Sequence, residues 1–458
     1  MGGGTRNKTA APIVFFVHTK KQKATAMQDH THIPHTFNTD DFLRAQLKGV
    51  APKKVLEYQH HASEEINLPE GMTWLSAFRG VLCYLLSFLA SRALVAACRA
   101  AGLFNTTHTT FLKLFDVLES HAPKLLEFML EHARPIIEKN AARICGYKLM
   151  CLDATRVSSV HPDTPSPHGV HVLWEATTRL PAQVLVPSKP SKGETLAWVE
   201  LDEDMFVLAD RVYAVSSAFA QARDAGAGFC ARYKIGGCTL FYDEELTNLF
   251  DPLEYVDSME ENARETKLLY VRVGGQAVKV VVDLKHMGEQ WGARQRQKLV
   301  QARQVLSDST KKLSEYLIVV AYLPEDAMEM RSNLWRLYRG RWGIEIEFKR
   351  MKSGRRLDKI NLKTNKRLRT GIMLHLVGQM LVCIGALRGL EPSEVVEKQA
   401  NDNILQDVGL FSLLQTLLPL HFSTFHKLVP VLRQMCSCPE RAHDDPRLIH
   451  RLRSYGFF

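Results

Sequence analysis

Two apolar runs that each end in an aspartate, and one patterned helix, constrain this chain most. Asp153 follows the apolar run that begins at Tyr147, and Asp210 follows the run that begins at Phe206. Farther along, residues recur at steps of three, four, three and four, which places them on one face of an α-helix: Tyr338, Arg341, Glu345, Phe348 and Lys352. A carboxylate flanked on its own helix face by two cations and a phenol is suited to bind phosphate and metal, which indicates phosphoryl transfer on nucleic acid.

The distribution of charge supports an anionic partner. The chain has 458 residues and a net charge of +10. The segment from Arg331 to His375 has 14 Lys or Arg against 3 Asp or Glu, a net charge of +11. A basic run is most often only a solvated helix face. Here it surrounds the helix stripe, and this position favours a phosphate-binding surface.

Cysteine content and hydropathy indicate a cytoplasmic protein without a membrane segment. The nine cysteines include no Cys-x-x-Cys pair, as expected in a reducing compartment. The N-terminus lacks the pattern of a signal peptide. The most apolar stretch, Trp74 to Ala101, is interrupted by three arginines, and its longest uncharged run, Gly80 to Ser91, is too short to span a bilayer.

The pattern divides the chain into helical ends and an α/β centre. Residues 1–38 read as a flexible polar tail, 39–145 as a helical domain and 389–458 as a C-terminal helical region. Two helices around Gly102 fit a helix-turn-helix that reads DNA. They fit an ordinary helical hairpin as well, because Lys113 is the only cation that the second helix offers.

The centre reads as a mixed α/β sheet with acids at strand ends. Residues 146–234 hold the first part of this core, 235–326 a β-rich insertion, and 327–388 a second part with one long helix from about Met328 to Ser353. The expected elements of the first part are the strands Tyr147–Asp153, His171–Glu175, Ala182–Pro187, Phe206–Asp210 and Phe229–Lys234, and a helix from Ser216 to Gly226.

The three acids Asp153, Asp210 and Glu345 are the expected metal ligands and catalytic residues. Two like charges about 4 Å apart repel by about 4 kcal/mol at an effective dielectric of about 20, so clustered carboxylates need a cation. Oxygen-only ligation suits Mg²⁺ or Mn²⁺. Two such ions, about 3.5–4 Å apart, activate the attacking oxygen and stabilise the leaving oxygen of a phosphodiester.

Five neighbouring residues are the expected contacts of DNA. Arg341, Lys352 and Tyr338 are placed to hold backbone phosphates on either side of the cut. Arg211 either binds a phosphate or partners the acids, and Trp342 either stacks on an unpaired base or belongs to the core. Each acid alone has an ordinary interpretation as a turn residue or a surface ion pair. Glu347 competes with Glu345 but lies about 200° away around the helix.

The residues of this pattern resemble a known family of DDE insertion-sequence transposases, the fourth insertion-sequence family, which carries a Tyr-Arg-Glu-Lys signature. Tyr338, Arg341, Glu345 and Lys352 match the signature without a gap. Leu152-Asp153-Ala154-Thr155 is similar to the family's first-acid motif, with Ala in place of Gly. Leu208-Ala209-Asp210-Arg211-Val212-Tyr213 is similar to the second, with Val in place of Gly. The resemblance covers roughly residues 145–375.

The resemblance implies an RNase H-like catalytic core with a β-rich insertion. It implies Mg²⁺-dependent cleavage at element ends, transfer of 3′-hydroxyls into target DNA, and a homodimer in a synaptic complex with double-stranded DNA. Residues 39–145 would then bind the terminal inverted repeats, and the C-terminal helices would make dimer contacts. A metal-dependent nuclease without strand transfer and a domesticated DNA-binding protein are the alternatives. The expected location is the bacterial cytoplasm, at the nucleoid.

Overall fold

The computed structural model describes most of the residues between the first helix and the end of the basic segment. The described residues are 68, 72, 74–86, 91–100, 104–163, 166–188, 194–301, 306–349, 351–352 and 357–387. The expected polar tail (1–38) and the expected C-terminal helical region (389–458) lie outside the described residues.

Helices precede the sheet, interrupt it and follow it. The third helix illustrates the local rules: the Thr107 side chain caps it by accepting the N–H of Thr110, and the buried Phe111, Leu114 and Phe115 recur at helical spacing. The α-helices are α1 (Trp74–Leu86), α2 (Ser91–Ala100), α3 (His108–Val117), α4 (Ala122–Asn140), α5 (Ser216–Asp224), α6 (Pro252–Asp257), α7 (Glu289–Gln301), α8 (Asp308–Leu313), α9 (Leu334–Arg339), α10 (Trp342–Lys349) and α11 (Asn365–Leu387).

All the strands that the structure describes belong to one eleven-stranded sheet. Its order is β4-β3-β2-β5-β6-β11-β10-β9-β7-β8, and β1 pairs with β2 at the side. The strands are β1 (Arg143–Ile144), β2 (Tyr147–Val157), β3 (His168–Glu175), β4 (Pro181–Leu185), β5 (Met205–Ala209), β6 (Gly228–Arg232), β7 (Leu240–Phe241), β8 (Leu249–Phe250), β9 (Arg264–Val273), β10 (Gln276–His286) and β11 (Tyr316–Tyr322).

Strands β2 to β6 form a mixed half of the sheet. β2, β3 and β4 run antiparallel to one another. β5 lies on the other side of β2 and is parallel to it, and β6 is parallel to β5. Helix α5 supplies the crossover that two parallel strands require. This mixed α/β arrangement was the fold class expected from the sequence.

The segment expected as a β-rich insertion extends this same sheet. β11 pairs antiparallel with β6, β10 pairs with β11, and β9 with β10. Alternating buried and exposed residues along β9 show one face packed and one face open. Strands β7 to β11 are therefore continuous with strands β2 to β6 through backbone hydrogen bonds.

The single long helix expected from Met328 to Ser353 is wrong. The chain forms a 3₁₀ helix (Glu325–Asn333), then α9 and α10, with a break at Gly340. At the break the Gly340 N–H bonds to the carbonyl of Leu337 at 2.8 Å, an i to i−3 bond that tightens the turn. The helix also approaches the sheet closely here: a Cβ on Gly340 would lie 3.6 Å from the Leu149 and Leu208 methyl groups.

Two hydrophobic clusters cover the two faces of the sheet. One face carries Cys151, Leu208 and Cys230 and packs against α1 to α4, α9, α10 and α11. The other face carries Leu152 and Ala209 and packs against α5. Helix α11 lies against α4, α1 and α3, so the helices before the sheet and the helix after it share one core. Within the described ranges, no helix has the length and apolar character needed to cross a membrane.

Candidate active site

Strand register places three polar residues side by side. In the parallel pairs Leu152 lies opposite Ala209, and Ala209 lies opposite Ala231. The next residue along each chain is Asp153, Asp210 or Arg232, so these three form a row across the sheet. Because successive side chains alternate between faces, the row points to the face covered by α9 and α10.

Asp153 is not at the end of its strand, which corrects the expected Tyr147–Asp153 element. β2 continues to Val157 because β3 still pairs with it, from Met150 opposite Glu175 to Val157 opposite His168. What ends near Asp153 is the pairing with β5, whose last residue is Ala209. Asp153 therefore sits on a rigid strand at the point where the neighbouring strand leaves the sheet.

Arg341 joins the helix to the row of acids. Its Nη1 lies 3.5 Å from Oδ2 of Asp153, and its Nη2 donates a hydrogen bond to Oε1 of Glu345. Only 11% of the Arg341 side chain is exposed, against 36% for Glu345. One guanidinium group thus binds a sheet carboxylate and a helix carboxylate together. Asp210 also acts on Arg341 electrostatically.

Burial and neighbouring acids change the protonation of Asp153. Burial raises the pKa of Asp153 to about 7, and Asp210 and Glu194 add to the rise. The Ala154 N–H, which Oδ1 accepts at 2.8 Å, and the Arg341 charge oppose it. Burial alone would lower the pKa of Arg341, but Tyr338, Asp210 and Glu345 outweigh it and raise the pKa. A permanent cation therefore faces a carboxyl group whose pKa is raised well above its usual range.

Tyr338 and Lys352 lie deeper than their expected phosphate contacts suggest. Tyr338 is 8% exposed, and its ring centroid lies 5.6 Å from Cζ of Arg341. Its hydroxyl is buried and has no hydrogen-bond partner among the described residues. Burial raises the pKa of Tyr338 and lowers the pKa of Lys352, while Asp358 and Asp153 act on Lys352 in the opposite direction. Both groups are near the acids but partly covered.

Trp342 is a surface residue, so the alternative that placed it in the core is wrong. It is 58% exposed, and Ile346, one helical turn later, is 38% exposed. Both lie on the outer side of α10, the helix that carries Glu345. Arg211, in the 3₁₀ turn directly after Asp210, is half-buried.

The two glutamates of α10 face different surroundings. Glu347 is 2% exposed, and its Oε1 lies 3.4 Å from Nη1 of Arg179, which follows β3. Glu345 is the more exposed of the two and binds Arg341. The structure thus joins Glu347 to the protein's interior, whereas Glu345 binds the guanidinium of Arg341, which also contacts Asp153.

Two residues near the acids were missed by sequence reasoning. Arg232 lies next to Asp210 in the row, and its Cζ lies 5.3 Å from the ring centroid of Trp291. Burial lowers the pKa of Arg232. The sequence did not mark it, because the expected strand runs on to Lys234, whereas β6 ends at Arg232. Burial and the nearby charge of Asp210 raise the pKa of Glu194, and the charge of Arg156 acts in the opposite direction. Glu194 stands in a loop, and no periodicity marks such a position.

The residues present fit a divalent cation by their chemistry. Asp153 and Asp210 offer oxygen donors from neighbouring strands, and Glu345 offers a third from the helix. A cationic group, the guanidinium of Arg341, already lies between Asp153 and Glu345. In the described part of the chain no group of three acid, histidine or cysteine side chains is close enough to form a ready-made metal cluster. Metal binding would therefore require Arg341 to yield its place among the carboxylates.

Comparison with known proteins identifies one family. The model of the family described as "Transposase DDE domain" matches residues 131–381. A search of the curated proteins finds no significant match. One similar solved structure is described as a cryo-EM structure of the piggyBac transposase synaptic complex with hairpin DNA. It has a TM-score of 0.39 and 9% identity, covering 86% of this chain and 80% of that chain. So low a TM-score carries no conclusion about this chain.

Proposed function

Since the family match spans more than half of its length, the chain belongs to the Transposase DDE domain family, and we propose that it catalyses cut-and-paste transposition of DNA. In this proposal it cleaves the ends of its own element and joins their 3′-hydroxyls to target DNA, with two Mg²⁺ or Mn²⁺ ions. Family membership gives the class of protein. The acids and their surroundings support the particular reaction.

The observation that carries the proposal is that Arg341 binds both Asp153 and Glu345, while Asp210 lies next to Asp153 across the sheet. Two parallel strands present the aspartates side by side, and α10 brings Glu345 to the same guanidinium that binds Asp153. Asp153 and Arg341 lie far apart in the sequence, so only the fold brings them into contact.

The topology supports an RNase H-like core. The order β4-β3-β2-β5-β6 joins three antiparallel strands to two parallel ones, and it contains the three strands, then strand, helix and strand, that the sequence predicts. The first acid lies on the first strand of this set and the second acid follows the fourth. Strands β7 to β11 then take the place of the implied β-rich insertion.

The proposed mechanism assigns each side chain a task. Asp153, Asp210 and Glu345 would hold the metal ions. When bound, the ions supply activation of the attacking oxygen and stabilisation of the leaving oxygen. Asp153, whose pKa is raised well above its usual range, must lose its proton to serve as a ligand, so acid weakens the site. Arg341, once released from the carboxylates, can bind a backbone phosphate bidentately.

Lys352 and Arg232 would hold further phosphates beside the reacting one. Burial lowers the pKa of both, and a bound phosphate would stabilise their charged forms. Trp342, exposed on the outer side of α10, is placed to stack on an unpaired base. Residues 39–145 would bind the terminal repeats, and a homodimer in the bacterial cytoplasm would hold two ends together.

A nuclease of the same fold is the alternative, and joining of a pre-cut end distinguishes the two. We expect the protein with Mg²⁺ to join a duplex with a free 3′-hydroxyl, taken from the repeats that flank its gene, to a plasmid. Asp153→Asn should abolish joining and leave DNA binding within a few-fold. Cleavage without joining would support the nuclease. Full joining by Asp153→Asn would contradict the assigned metal site.

A further inference from the structure

A group of cations surrounds one indole ring on the helix that precedes the active site. Lys285 Nζ lies 4.3 Å from the ring centroid of Trp335, Arg339 Cζ lies 5.7 Å away and Arg336 Cζ 5.8 Å away. Lys285 comes from β10, whereas the other residues come from α9. We call Lys285, Trp335, Arg336 and Arg339 the indole cluster.

The nearby acid is already neutralised. Asp283 is completely buried and forms a two-point ion pair with Arg264, whose Nε and Nη2 lie 3.0 and 2.8 Å from its two oxygens. Asp283 also accepts a hydrogen bond from the backbone N–H of Trp335 at 3.3 Å, and Arg264 donates one to the Ser332 carbonyl at 2.7 Å. These contacts fix the start of α9 on the sheet. Because Arg264 already balances the charge of Asp283, this acid does not balance the cations of the indole cluster.

The three cations of the cluster are therefore unbalanced. Among the residues that the structure describes, none of them forms a salt bridge. Arg336 and Arg339 are exposed, and Lys285 is half-buried against the ring. Like charges gathered on one surface repel one another, and contact with an aromatic face offsets this only partly, by about 0.5–1 kcal/mol per cation at exposed sites. An anionic partner would stabilise such a surface.

We propose that the indole cluster binds the phosphate backbone of duplex DNA that lies beside the reacting phosphate. The inference rests on the proposed function, since it places the cluster on the same DNA. Arg339 and Arg336 precede Glu345 by six and nine residues. They lie in α9, which ends directly before the break at Gly340, and α10 beyond the break carries Glu345. The cluster would therefore contact phosphates of the same duplex beside the reacting one.

The contacts would be independent of base sequence. Trp335 is half-buried under Lys285, so its ring holds the cations and does not stack on a base. Arg and Lys on phosphate oxygens position the duplex and carry no direct sequence information. The cluster would thus extend the grip on DNA without narrowing the choice of target.

The test is the salt dependence of duplex binding by the full chain. The variant has Lys285→Gln, Arg336→Gln and Arg339→Gln together, and the matched control is Lys279→Gln. Lys279 is exposed on the same strand, six residues from Lys285 and thus about 20 Å away. Affinity for a random-sequence duplex is measured by fluorescence anisotropy across salt concentrations. A second variant, Arg336→Gln with Arg339→Gln, changes only exposed residues and guards against misfolding.

Each lost phosphate contact should reduce the magnitude of the slope of log K against log salt by about 0.9. The slope of the triple variant should therefore be smaller in magnitude by about 2 to 3. Its affinity should fall at least tenfold in low salt, equally for all sequences, while Lys279→Gln keeps the slope of the unchanged protein. An unchanged slope in the triple and double variants overturns the indole cluster as a DNA surface and leaves the proposed function standing. If the unchanged protein fails to bind any duplex, both fail.

Discussion

Asp153→Asn should make the metal-free protein more stable, although it removes a catalytic acid. Burial and Asp210 raise the pKa of Asp153 from 3.8 to about 7. In the unfolded chain the carboxyl ionises near 3.8, whereas in the folded chain it resists ionisation until about 7. Unfolding is therefore increasingly favoured as pH rises between these values, and the folded state loses about 4 kcal/mol by pH 8. Asparagine cannot ionise and avoids this loss.

The gain depends on pH and on metal. At pH 5 the raised pKa of Asp153 destabilises the unchanged protein by only about 2 kcal/mol. Below about pH 4 the unchanged protein and Asp153→Asn should be equally stable. With Mg²⁺ at about 100 times its dissociation constant, the unchanged protein regains about 2.7 kcal/mol, and Asp153→Asn should not. Metal should therefore narrow or reverse the difference between them at pH 8.

Urea unfolding in a metal chelator at pH 5 and pH 8, followed by unfolding in Mg²⁺, measures these differences. The exposed Asp202, changed to Asn, is the matched control and should follow the unchanged protein in every buffer. If Asp153→Asn is less stable than the unchanged protein at pH 8 without metal, the Asp153 charge is a net stabiliser through Arg341. The reasoning from burial would then be refuted.

Further predictions concern the two glutamates of α10 and two glycines. Glu345→Gln should abolish DNA joining with little change in Tm; Glu347→Gln should keep joining but lose about 3 kcal/mol, because it breaks a buried ion pair with Arg179. If Glu347→Gln abolishes joining and Glu345→Gln keeps it, Glu347 is the catalytic acid. Gly228→Ala should cost about 1–3 kcal/mol in urea unfolding, since its Cβ would lie 2.2 Å from a buried phenylalanine ring. Gly343→Ala, into open space, should stabilise α10 by about 0.5–1 kcal/mol; equal effects at the two glycines would contradict the packing.

The sequence predicted the elements that alternate or repeat with a clear period. The apolar run before Asp153 and the one before Asp210 became neighbouring buried strands, and Glu345, four residues after Arg341, became its hydrogen-bond partner. Such features follow from local spacing alone. The assignment of metal to these acids remains a prediction.

What the sequence could not predict depends on contacts between distant segments. The expected long helix is broken at Gly340, where the chain packs against Leu149 and Leu208 of the sheet, and these partners are far away in the sequence. The indole cluster combines Lys285 with residues of α9 that follow it by about fifty positions, so only the fold reveals it. Trp342 was ambiguous because a lone tryptophan fits a core and a surface equally.

The most direct test of the metal site is the number of Mn²⁺ ions bound per chain, measured by electron paramagnetic resonance on the protein bound to an element-end duplex. The unchanged protein should bind two ions, and Asp210→Asn should lose at least one while still binding DNA. Glu347→Gln should keep both. If Asp210→Asn binds as many ions as the unchanged protein with the same affinity, Asp153, Asp210 and Glu345 do not form the catalytic metal site.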